Sequence, residues 1–183
     1  MTLPAVPAPE PVPAAKAGLW KPVLLRAAVA AVFGAVTIFW AQPSVQVLAW
    51  AVGLYLLGTA AAVFLTRTVA VVIPAVVGVA GVAALIFQSD AAVAASASLG
   101  LFVLGVGELV LGIRSRRRHI LARDWLVSGV IGIGTAAALP FFVGLGAHAL
   151  LGVAGGGAII SGVLWMLSGL TLRHDGRVAA ARP

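Results

Sequence analysis

The chain has 183 residues, 62% of them hydrophobic and 9% charged, with a formal net charge of +7 and no cysteine. A soluble domain is about half apolar and about a quarter charged, so this much apolar surface has to meet lipid rather than water. The missing cysteine excludes disulfides, thiolate metal sites and cysteine nucleophiles.

Residues 1–18, MTLPAVPAPEPVPAAKAG, have neither helical nor strand periodicity and are predicted to form a disordered, Pro/Ala-rich cytoplasmic tail. The apolar run that follows Lys16, Lys21 and Arg26 is too long for the core of a cleaved signal peptide. No A-x-A site comes after it, so a retained helix is expected.

A bilayer core of about 30 Å takes about 20 apolar residues of helix. Six stretches meet that length: 23–42, 46–65, 69–87, 92–113, 126–143 and 148–172. The breaks between them are Gln42-Pro43-Ser44, Thr66-Arg67-Thr68, Gln88-Ser89-Asp90, the basic run 114–125, and Val143-Gly144-Leu145-Gly146. Continuous apolarity, without alternation, excludes a transmembrane barrel.

Counting spans alternately in and out puts all 12 Lys and Arg on one side. They cluster at Lys16/Lys21/Arg26, at Arg67, between Arg114 and Arg123, and at Arg173/Arg177/Arg182. The positive-inside rule then sets both termini in the cytoplasm of a bacterial inner membrane. Trp20 and Trp125 are expected in the inner aromatic belt and Trp40 in the outer one.

Gly53-Leu54-Tyr55-Leu56-Leu57-Gly58 resembles Gly100-Leu101-Phe102-Val103-Leu104-Gly105 at an offset of 47 residues (100 − 53). The same offset carries Gly34 onto Gly81 and Arg67 onto Arg114, and Gly157 to Gly162 repeats the glycine spacing in the last span. The predicted fold is therefore an all-α membrane protein, six transmembrane helices as three repeated parallel hairpins over 19–67, 68–114 and 125–173. The bundle occupies 19–173 and residues 174–183 form a second cytoplasmic tail. Small residues at Ala27, Ala31 and Ala35, and the Gly152/Gly156 pair, suit close packing inside the chain or between copies or other membrane proteins. The glycines expected to pack helices are Gly34, Gly53, Gly58, Gly81, Gly100, Gly105, Gly157 and Gly162.

Three repeated hairpins in a chain of this length, with both ends inside, resemble the HdeD-like acid-resistance membrane proteins. The residues that carry the likeness are Arg26, Gly34, Pro43, Gly53 and Gly58 in the first hairpin. In the third they are Trp125, Gly129, Gly132, Pro140, Gly157 and Gly162. The second hairpin departs from the pattern, with Gln88-Ser89-Asp90 in place of proline and Pro74 inside its first helix. The likeness covers residues 20–173. It implies a six-helix bundle with a part in acid or envelope stress tolerance, and it supplies no catalytic residues.

Glu108 is the one acid within a predicted span, six residues before Arg114. An ionisable group at that depth is a functional hypothesis. Its repeat equivalents are Ala61 and Trp165, so the hairpin itself requires no acid there. Three readings stand: an ion pair with Arg26, proton or cation handling, and neutral burial.

The run Arg114, Arg116, Arg117 and Arg118 lies beside a span, where basic residues meet anionic lipid headgroups. It lacks the interleaved aromatics of a nucleic-acid site. His119, His148 and His174 are scattered over both faces and have no metal-ligand spacing. No catalytic constellation, metal site or cofactor motif is found; the glycines from Gly152 to Gly157 follow no strand and make no phosphate loop. The leading reading is a non-enzymatic membrane protein in stress tolerance. The alternatives are a small proton, cation or solute transporter or channel subunit using Glu108, and a structural subunit of a membrane complex.

Overall fold

The computed structural model describes residues 18–117 and 119–180. The Pro/Ala-rich tail up to residue 17, the Arg118 headgroup contact and residues 181–183 lie outside that range. Six α-helices follow in order: α1 (Trp20–Phe39), α2 (Val45–Thr66), α3 (Val72–Ile86), α4 (Asp90–Ser115), α5 (Ala122–Ala138) and α6 (Gly146–Ala180). A 3-10 segment, Leu139–Leu145, joins the last two. No strand occurs among the described residues. In lipid a chain must satisfy its own backbone, and continuous apolar sequence does that within one segment only as helix.

The ends are set by local chemistry. Ser44 Oγ accepts from the Val47 amide and Ser89 Oγ from the Ala92 amide, both at 3.3 Å, which caps α2 and α4. Arg67, with φ of 51°, takes the left-handed conformation that closes α2.

Two prolines move the expected boundaries. Pro74 lies in the first turn of α3 instead of inside the helix, where its missing N–H costs nothing. The helix starts at Val72, not at 69, and its 15 residues span about 22 Å. Pro140 has no amide to continue the α-helical ladder, so α5 stops at Ala138 and the chain tightens into 3-10 form. The reversal itself falls on Gly146, whose φ of 78° and ψ of −174° suit glycine almost alone. Asp90 Oδ2 sits 3.9 Å from where a Cβ on Gly146 would be, which brings a carboxylate to the N-terminal end of α6. At the other end α6 continues to Ala180, so residues 174–180, read as tail from the sequence, are helical.

Four stretches are long and apolar enough to cross a membrane: α1, α2, α4 and the run Ala122–Val178, which Gly146 divides into α5 and α6. The outward face is apolar, with Phe39 85% and Phe141 84% exposed and Val72 at 69%. A protein in water does not present a surface of that kind. The fold is that of a helical membrane protein, compatible with several crossings.

The helices close into a ring in which each packs on its chain neighbours and α6 returns against α1. Inside it, α2, α4 and α6 touch one another, whereas α1, α3 and α5 make no substantial mutual contact. The interior holds two apolar clusters. The larger includes Leu48, Val52, Leu56, Leu101, Leu104, Leu139, Leu150 and Leu151. The smaller includes Val23, Ala27, Leu121, Trp125, Trp165 and Leu172. Trp125 is thus 4% exposed, its ring 4.6 Å from that of His119, and does not serve the interfacial belt foreseen for it. Trp40, half exposed, keeps a position suited to one.

Candidate functional site

Where the two clusters meet lies a layer of polar side chains, each placed by helical spacing. Arg26 stands six residues into α1, about 9 Å from its start. Glu108 stands seven residues before the end of α4, about 10 Å along it. Leu101, Leu104 and Glu108 repeat at three and four residues and share one face of α4, turned inward. On α6, Ser161 and Trp165 are four apart and face the same way.

These side chains converge on one another. Arg26 Nη1 donates to Glu108 Oε1 in a buried ion pair. Arg26 Nη2 donates to Ser128 Oγ at 3.4 Å, and Trp165 Nε1 donates to the same oxygen at 3.2 Å. The guanidinium lies 4.4 Å from the centroid of the Trp165 ring, within cation–π range. One arginine therefore joins α1 to α4, α5 and α6. Glu108 is 2% exposed, and its second oxygen, Oε2, has no hydrogen-bond partner among the described residues.

Two small cavities adjoin the pair, each of about 20 Å³, enough for about one water. The first is lined by Tyr55, Ser128, Thr135 and Ser161 among others, the second by Pro22, Thr66, Thr68, Trp125 and Trp165. Among the described residues no group of three His, Asp or Glu stands close enough to hold a metal.

Sequence reasoning named Arg26 and Glu108 and missed Ser128, Trp165 and Tyr55. Ser128 carried a usable signal, a hydroxyl in an apolar helix, six residues into α5 as Arg26 is six into α1. Trp165 carried none, because a tryptophan in a span reads as bulk.

The glycines lie at helix crossings. Gly53 and Gly81 face each other across α2 and α3, each with the other's carbonyl 3.0 Å from where its Cβ would stand. Gly105 on α4 and Gly129 on α5 do the same at 2.8 and 2.7 Å. Gly34 meets Ile159, Gly58 meets Val29 at 2.9 Å, Gly100 meets Ala80 at 3.2 Å, Gly157 meets Thr135, and Gly162 meets Ala30 at 3.0 Å. The role of Gly129 opposite Gly105 was not foreseen. Of the small residues on α1, Ala27 is buried and Ala31 and Ala35 face outward. Gly152 and Gly156 have open space where a Cβ would go, so they pack against nothing among the described residues.

Arg114, Arg116 and Arg117 are exposed at and beyond the end of α4. Positive charge there favours the helix C-terminus. On the same face, Lys21 Nζ and the Arg173 guanidinium lie 5.7 and 5.3 Å from the Trp20 ring centroid.

Compared with family models, curated proteins and solved structures, the chain matches none.

Proposed function

We propose that the chain is a non-enzymatic protein of the bacterial cytoplasmic membrane, of the HdeD-like kind, that contributes to tolerance of acid or envelope stress. Its six helices cross the bilayer as three repeated hairpins, with both termini in the cytoplasm. The observation that carries this reading is the position of the glycines behind the resemblance: they occupy the helix crossings, where a larger residue would separate the helices. The central set of α2, α4 and α6, the returning helix of each hairpin, supports the repeat. In this reading α3 is the third span, completed to bilayer length by the apolar residues Val69 to Val71 and Phe87. Arg114, Arg116 and Arg117 then lie against anionic headgroups, at about 1 kcal/mol per charge near the surface.

Two experiments test it separately. Reporter fusions at Ser44, Asp90 and Gly144 should report the outside, and fusions at Arg117 and the C-terminus the cytoplasm. A cytoplasmic signal at Asp90 would remove the six-span topology. A strain deleted for the gene should lose survival at low pH and regain it on complementation. Survival equal to the parent's, at low pH and under envelope stress alike, would remove the stress role and leave the topology standing.

A further inference from the structure

The two cavities beside the ion pair have just two lining residues in common, Arg26 and Glu108. The pair is therefore a partition. On one side the cavity runs down to Leu19 and Pro22 at the start of α1 and to Thr66 and Thr68 at the end of α2, where the two threonine hydroxyls lie 2.9 Å apart. This is the face that carries Lys21, Arg67 and Arg114. On the other side the cavity reaches Thr135, beyond which Leu139, Leu150 and Leu151, each 1% exposed, and Leu48, at 0%, close the interior. One cavity thus lies toward the face that carries the basic residues and the other toward the middle of the bundle.

Beside these cavities lies a buried carboxylate oxygen without a partner among the described residues, Glu108 Oε2. A buried polar atom left unpaired is costly, and water in an adjacent cavity is the ordinary remedy. We propose that Glu108 is a buried proton-exchange site, reached by water from the face that carries the basic residues. Water in the second cavity hydrogen-bonds Oε2. A hydronium arriving there gives its proton to that oxygen: one O–H bond forms on the carboxylate, one breaks in the hydronium, and water is left behind. The transfer takes the counter-charge from Arg26, whose contacts with Ser128 Oγ and the Trp165 ring remain. The titratable groups facing Glu108 across the two cavities are Arg26 from α1 and Tyr55 from α2. No lining residue comes from α3, and α5 and α6 present hydroxyls, rings and apolar groups. Exchange at one side is not transport, and the proposal does not depend on the stress role.

The test uses infrared spectroscopy on the full chain in lipid vesicles. The sequence has two glutamates, Glu10 and Glu108. In a Glu10→Gln protein grown with carboxyl-labelled glutamate, every isotope-shifted glutamic acid band belongs to Glu108, and the site itself is untouched. Acidification should raise the carbonyl band of a protonated, labelled carboxylic acid, and that band should shift promptly when the buffer is changed to heavy water. Thr66→Leu, which fills the mouth of the second cavity, should slow that exchange severalfold. The proposal is overturned by the absence of a labelled acid band at every pH at which the protein stays folded. It is equally overturned by a band that exchanges only on unfolding, or at a rate indifferent to Thr66→Leu.

Discussion

Replacing Glu108 by glutamine should lower the stability of the bundle by about 3–5 kcal/mol, the usual result of stripping one partner from a buried ion pair. The amide keeps the shape of the side chain and can still accept a hydrogen bond, so packing changes little. What it cannot do is neutralise Arg26, whose side chain is 12% exposed and has Ser128 and Trp165 as its remaining contacts. Neither carries charge. Unfolding by SDS in mixed micelles, followed by circular dichroism, measures the loss. The cost should exceed that of Ser128→Ala, which takes away one oxygen shared by two donors and leaves the ion pair in place.

A second large effect is expected at the crossing of α4 and α5. A Cβ on Gly105 would stand 2.8 Å from the Gly129 carbonyl oxygen and 2.9 Å from the Ile133 amide nitrogen, both backbone atoms that no rotamer change can move. Gly105→Leu should therefore separate the two helices, at about 1–3 kcal/mol for overpacking and more if the ion pair is pulled apart with them. Gly58→Leu should cost less. Its neighbour is the Val29 side chain, at 2.9 Å, which lies at the half-buried edge of α1 and has room to yield. The same SDS titration ranks the two. Equal losses would mean that side-chain yielding does not govern these crossings.

The helices were legible in the sequence because lipid leaves an apolar run no other way to satisfy its backbone. Their ends were less so. Pro74 and Pro140 act through hydrogen bonds that are not made, and whether a proline opens a helix or stands inside one depends on where the first turn forms. The extension of α6 through Arg173 to Ala180 was hidden by its polarity, since hydropathy sees where a helix leaves the apolar layer, not where it stops. In the site, Arg26 and Glu108 stood out as ionisable groups at matching depth. Trp165 and Tyr55 did not, for a physical reason: these helices are apolar nearly all round, and a helix without a polar face gives no sign of which side turns inward.

Arg26 and Glu108 act as one unit at the centre of the bundle. A double-mutant cycle on Arg26→Met and Glu108→Gln, read as SDS unfolding free energies, tests that claim directly. With both charges gone neither is left stranded, so the double variant should be more stable than the two single losses add up to, by about 2 kcal/mol or more. Additivity of the two losses to within about 0.5 kcal/mol would contradict it.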